Sequence, residues 1–194
     1  MELRLVWMLA VGIVIRLLIA PFTSWTDDVY PFYRATMDMA GGLDPYDTSF
    51  FTYPPVWAYI LFPLFTIAGL IADPESFAVT VSSIGVTAEA TGMLVPTVTS
   101  PLFNFILKLP LIGADVGIAL LLYRWGSDSF GPKQGKTAFI LWFLNPMVIW
   151  VNAVHGQFDV LPAFFIVASC LLLVRRRFVY AGVAFGLAIL LKLY

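Results

Sequence analysis

Residues 102–123 read LFNFILKLPLIGADVGIALLLY. A helix needs about 20 apolar residues to cross the hydrocarbon core of a bilayer, and this stretch meets that length. Working outward, residues 3–21, 137–154, 160–174 and 178–194 are also apolar runs, with 160–174 short unless it borrows a turn at either end. The chain is 60% hydrophobic and only 12% charged, with a mean hydropathy of +0.89. A soluble domain carries about a quarter charged residues, so a water-facing globule and a disordered chain are both excluded. These observations predict an all-α fold, a polytopic transmembrane helix bundle forming a single membrane domain over residues 1–194. Net charge is −1, with no dense basic patch, so nucleic acid is excluded as a partner and membrane lipids are the surroundings. The run 3–21 follows only Met1 and Glu2, contains Arg16 and lacks a small-residue cleavage site, which reads as a retained signal-anchor.

Charge placement predicts orientation. Arg124, Lys133 and Lys136 are expected in one loop, and Arg175, Arg176 and Arg177 in another; the positive-inside rule makes both cytoplasmic. Residues 22–99 hold eight acidic residues against Arg34 alone, which predicts an external segment. A sixth apolar run, 55–72, would reverse every later loop if it crossed once. It is therefore expected to be interfacial or re-entrant, because 77–95, the only stretch that could cross back, is rich in Ser and Thr and contains Glu89. Within 22–99, residues 29–39 suggest a short helix, and Gly41, Gly42 and Pro45 suggest turns.

Ionisable groups inside spans cost about 2.5–3.5 kcal/mol on insertion scales, so each calls for a partner or a role. Lys108 and Asp115 share a helix face, but about 10 Å of rise separates them, so pairing needs a neighbouring helix. Arg16, Lys108 and Lys192 all lie towards the external ends of their helices. They are either snorkelling or paired, or they converge on a phosphate. Asp27 and Asp28 follow the first span; one of them is a general base or metal ligand, or an N-cap for the next helix. His155, the single histidine, stands four residues before Asp159. Either the pair belongs to a site, or Gly156 pivots a hairpin and Asp159 caps the following helix. Too few ligands are present for a zinc site, and no Ser or Cys stands in a nucleophile context. Cys170 is expected to be a buried, inert thiol, and Gly182 with Gly186 to serve close helix packing.

An external Asp soon after the first span, then Gly42-Leu43-Asp44-Pro45-Tyr46 and Tyr53-Pro54-Pro55, resembles the first external loop of GT-C glycosyltransferases. Lys108-Leu109-Pro110 with Asp115, Asn145-Pro146, Gly156-Gln157-Phe158-Asp159 and the closing Gly182 to Lys192-Leu193-Tyr194 extend the likeness along nearly all of the chain. It is similar above all to prokaryotic mannosyltransferase-like members that use polyprenyl-phosphate sugars. The resemblance implies juxtamembrane helices in the external loop, and an inverting displacement in which the lipid phosphate leaves the sugar, mannose being the commonest case. The acceptor would be a hydroxyl of a lipid or glycan, and the active face the outside of a prokaryotic plasma membrane.

It maps the base best onto Asp28, with Asp27 as alternative, and assigns donor-phosphate binding to Arg16, Lys108 and Lys192. Substrate contacts fall to His155, Gln157, Asp159 and Tyr53. No cofactor is firmly implied, and a divalent cation stays open. Members are usually longer, with further helices and another external loop. The resemblance therefore implies that this chain corresponds to an amino-terminal portion, with part of the donor site expected beyond it. Two other readings predict different behaviour. A small carrier or flippase subunit would line a path with the Lys108/Asp115 face, and a non-catalytic scaffold would tolerate loss of Asp27, Asp28 and His155.

Overall fold

The computed structural model describes residues 3–47, 51–80 and 97–193. The architecture is an all-α membrane helix bundle. Helix α1 (Leu3–Ile19) ends in a 3-10 turn, Ala20–Phe22, and α2 (Thr26–Ala40) and α3 (Val56–Gly69) follow. A two-stranded antiparallel ladder, β1 (Ala78–Thr80) with β2 (Thr97–Thr99), precedes α4 (Pro101–Phe130). The chain then runs through α5 (Pro132–Phe143), α6 (Pro146–Ile149) continued as a π-helical turn Trp150–His155, α7 (Val160–Val174) and α8 (Phe178–Leu191). Most of 77–95, including Glu89, lies outside the described residues.

Local chemistry explains the breaks. Ser100 accepts from Phe103 N at 3.2 Å and Pro101 occupies the first helical position, an N-cap arrangement that starts α4. α4 runs for 30 residues, past the expected end at 123. Arg124 therefore lies inside α4 and Lys133 and Lys136 inside α5, and the expected basic loop shrinks to the turn at Gly131 (φ +100). The two helices approach closely behind that turn: a Cβ on Gly126 would stand 2.8 Å from Gly135 Cα. The expected single helix over 137–154 is broken by 45°. Pro146 has no N–H to continue the α5 ladder, and the Asn145 side chain accepts from Met147 N at 2.9 Å to begin α6.

α7 and α8 form a helical hairpin. Arg177 N donates to Leu172 O and Arg176 N to Leu173 O, at 2.8 and 2.9 Å, with Arg176 left-handed at φ 57, a Schellman turn without its usual glycine.

α1 with its terminal turn and α4 are each long and apolar enough to cross a bilayer, and α5 with α6 is so as a bent pair. α3, α7 and α8 have 14, 15 and 14 residues, about 21–23 Å of rise, so length alone does not separate α3 from the others. The main core sits at one end of the bundle, where Phe32 of α2, Trp57 of α3 and Phe158 close to α7 are each fully buried. Trp57 and Phe158 stack at 5.0 Å and 5°, while Phe32 and Tyr53 meet Phe158 edge-on at 5.6 and 4.9 Å. Large apolar side chains of α1 and α8, such as Trp7, Leu18 and Val183, face outward, as lipid-facing positions do.

Two expectations are corrected. Cys170 is exposed: the covered face of α7 passes through Leu161, Ser169 and Leu171, leaving the thiol on the opposite side. Among the described residues, nothing lies within 4 Å of a Cβ placed on Gly182 or Gly186. Close helix approach occurs instead at Gly126 and Gly135, at Gly117 against Phe164, and at Gly12 against Phe143.

Candidate active site

The π-helical turn ends at Gly156, whose left-handed φ of +91 turns the chain back towards α7. The five residues His155-Gly156-Gln157-Phe158-Asp159 carry a paired side chain at each end, a hydrogen bond at His155 and an ion pair at Asp159. His155 Nε2 bonds Asp28 Oδ2, and the Lys192 ammonium donates to Asp159 Oδ1. Between them the Phe158 ring is packed into the aromatic core. The Asp28 and His155 side chains are 23% and 25% exposed, enough for an incoming hydroxyl to reach them. Asp28 lies in the first turn of α2 together with the exposed Asp27, while the N-cap position belongs to Trp25, which makes no side-chain cap. The capping reading of Asp28 thus gives way to its bond with His155. Asp159 occupies the N-cap position of α7 without a side-chain cap, its carboxylate being turned to Lys192.

Tyr53 joins this neighbourhood. Lys192 Nζ stands 5.6 Å from its ring centroid and 5.5 Å from that of Phe158. Burial pushes the Tyr53 phenol above its usual range, and the nearby Asp28 and Asp159 carboxylates push the same way while Lys192 opposes. The Gly42-to-Tyr46 segment has a structural part: Asp44 Oδ1 accepts from Tyr46 N at 2.9 Å, and Tyr46 OH donates to Tyr53 O at 2.7 Å. A cavity of about 430 Å³ opens beside Tyr46, Tyr53 and Lys192. A second, of about 540 Å³, opens on the His155 side between Phe22, Trp25, Trp150 and Asn104. The side-chain Oε1 of Gln157 is buried without a hydrogen-bond partner among the described residues.

The three expected phosphate-binding cations do not converge, because each is engaged separately. Arg16 is fully buried, donating from Nε to Asp115 at 2.7 Å, from Nη2 to Phe143 O at 2.7 Å and from Nη1 to Gly12 O at 3.1 Å. Trp142 Nε1 of α5 donates to the other Asp115 oxygen at 2.7 Å, so Asp115 finds its partners on α1 and α5 and not in Lys108 of its own helix. Lys108 is fully buried and points at backbone carbonyls of the 3-10 turn after α1 and of the π-turn. Lys192 alone of the three has a side chain reachable from outside, at 18% exposure. Among the described residues no three His, Cys, Asp or Glu side chains gather as a metal-ligand set.

Two contributors escaped the sequence reading. Trp25 stacks on His155 at 5.4 Å and donates its backbone N–H to His155 O at 2.9 Å. Phe158 was visible only as a member of a turn. The signal for Trp25 was its place next to the acidic pair in an aromatic-rich external segment.

The pattern of Glycosyltransferase family 87 matches residues 51–194. GPI mannosyltransferase 1 of Dictyostelium discoideum is 26% identical over 197 aligned positions, covering 95% of this chain and 36% of that protein. The chain thus spans little more than a third of this relative's length. No solved structure matches. The match over most of the chain, on a membrane helix bundle, shows that it belongs to glycosyltransferase family 87.

Proposed function

We propose that this chain carries the base-bearing part of an inverting membrane glycosyltransferase. It moves a sugar, mannose by resemblance, from a polyprenyl-phosphate donor to an acceptor hydroxyl on a lipid or glycan. The observation that carries the reading is the five-residue turn, which holds Asp28–His155 at one end and Asp159–Lys192 at the other. In the proposed step the acceptor oxygen bonds the anomeric carbon while the bond from that carbon to the phosphate oxygen breaks. The acceptor proton passes to Asp28 Oδ1, Oδ2 being held by His155. The prenyl phosphate leaves with its charge met by Lys192, which Asp159 and the Tyr53 and Phe158 rings orient.

The topology we propose has α1, α4, the α5–α6 pair, α7 and α8 crossing the membrane within one domain, with α2 and α3 lying against its outer face. This places both pairs outside and the Arg175–Arg177 turn inside. The donor and the prokaryotic setting rest on the resemblance, since the relative is eukaryotic. The carrier reading loses its supposed path, because Lys108 and Asp115 are both fully buried and bonded.

The test uses a full-length homologue, substituted at the positions that match Asp28 and Asp27, in nanodiscs with a short-chain prenyl-phosphate mannose. Asp28→Asn is expected to lower transfer by about 10²–10⁴-fold with donor binding retained. Asp27→Asn should stay within a few-fold of the parent. Unchanged transfer in Asp28→Asn would remove it from the base role. Sidedness is read on a Cys170→Ser background with single cysteines at Thr26, Ala68, Ser129 and Asp159, the last standing in the same turn as Gly156 with its side chain exposed. An impermeant label should reach Thr26 and Asp159 but not Ser129; labelling of Thr26 and Asp159 from opposite sides would overturn the topology.

A further inference from the structure

We infer that Lys108 is a positioning residue that sets the Asp28–His155 geometry by capping two helix ends at once; its effect on turnover rests on the function proposed above. The amine is fully buried inside the bundle. It donates to Ala20 O at 3.1 Å and to Thr23 O on one side, and to Ala153 O at 2.9 Å and Val154 O at 3.0 Å on the other. Thr23 Oγ1 adds to the junction, lying 3.2 Å from the amine, with its one proton facing Ile19 O at 3.0 Å and Ala153 O at 3.1 Å. An ammonium has three N–H donors, so these acceptors already share them and none is left for a phosphate oxygen.

The carbonyls concerned lie where α1 and the π-turn end, where backbone acceptors have no partner further along the helix. A compact cation at such ends satisfies them and opposes the negative end of each helix dipole. Each captured segment leads directly to one member of the pair. Thr23 precedes Asp28 by five residues through Trp25, and Val154 is adjacent to His155. The bond from Trp25 N to His155 O closes the same junction from the other side. Gly156 is part of the fit, because a Cβ there would stand 3.2 Å from both Lys108 Cε and Val29 Cγ2 at a φ that already disfavours side chains.

The experiment compares the full-length parent, Lys108→Met and Thr23→Val in nanodiscs by hydrogen exchange and by transfer kinetics. In Lys108→Met, backbone protection is expected to fall at least about tenfold in peptides covering 23–29 and 150–157, while α7 keeps its protection. Thr23→Val, isosteric and milder, should move the same two segments in the same direction by a smaller step. In transfer, kcat should fall with donor KM nearly unchanged, and Lys108→Met with His155→Gln should be little worse than Lys108→Met alone. Unchanged protection in both segments would overturn the inference. So would loss spread over every helix with Thr23→Val silent, or a raised donor KM with kcat held, which is the signature of a phosphate ligand. The exchange measurement needs no turnover, so a parent chain without transfer activity would count against the proposed function alone.

Discussion

Replacing Asp115 by asparagine isolates the buried charge at the centre of the bundle. Arg16 and Asp115 are both fully buried, and the carboxylate accepts charge-assisted bonds of 2.7 Å from Arg16 and 2.7 Å from Trp142. Removing one partner of a buried pair destabilises by about 3–5 kcal/mol, mostly through the charge left behind. Here the guanidinium keeps the carbonyls of Gly12 and Phe143 and lies 4.1 Å from the Phe143 ring centroid, which favours the lower end, about 3 kcal/mol. For a chain of this size each kcal/mol moves the melting midpoint by about 2–4 °C, so a fall of about 6–12 °C is expected. The assay is thermal unfolding in one detergent, read by near-UV circular dichroism. Arg16→Met combined with Asp115→Asn should recover more than half of the loss, because the introduced amide oxygen still accepts from Trp142 and no bare charge remains. The coupling between the two sites should reach about 2 kcal/mol. A midpoint for Asp115→Asn within about 2 °C of the parent, or additive losses in the double variant, would refute the reasoning.

Phe158→Ala should destabilise by about 3–5 kcal/mol through the cavity it leaves and release both pairs, whereas Phe158→Leu should lose well under half of that; thermal melts with single-cysteine labelling at Gln157 check both. Gly126→Ala meets Gly135 Cα at 2.8 Å and should lower the melting midpoint, while Gly182→Ala enters open space within a helix and should be neutral or stabilising by up to about 1 kcal/mol. Tyr53 holds its proton more tightly in the folded state than in the unfolded chain, because burial and Asp28 disfavour the phenolate. Its contribution is therefore fully present below pH 10, the unfolded value, and is lost as the pH rises from there through the higher folded value. Melts between pH 9 and 11 should accordingly be less steep in Tyr53→Phe than in the parent; equal slopes would contradict the assignment.

Hydropathy and the order of charges were enough to read the membrane class, the helix periods and the side of the chain that gathers acidic residues. These are properties of composition and of spacing along one helix, and α7 follows the expected 160–174 because nothing but local pattern decides it. The break at Asn145-Pro146 was equally local, although the 45° bend it produces was not. Partner choice was hidden, because it depends on which helices meet. Arg16 finds Asp115 across a separation of 99 residues, and Lys108 turns to carbonyls of two segments 85 and 46 residues away. A lysine in an apolar run looks the same whether it awaits a phosphate or caps a backbone. Only the tertiary packing decides, by placing acceptors around its amine and shutting solvent out. The same holds for Asp27 and Asp28: adjacent positions on a helix point about 100° apart, and it is Asp28 that the packing brings to His155.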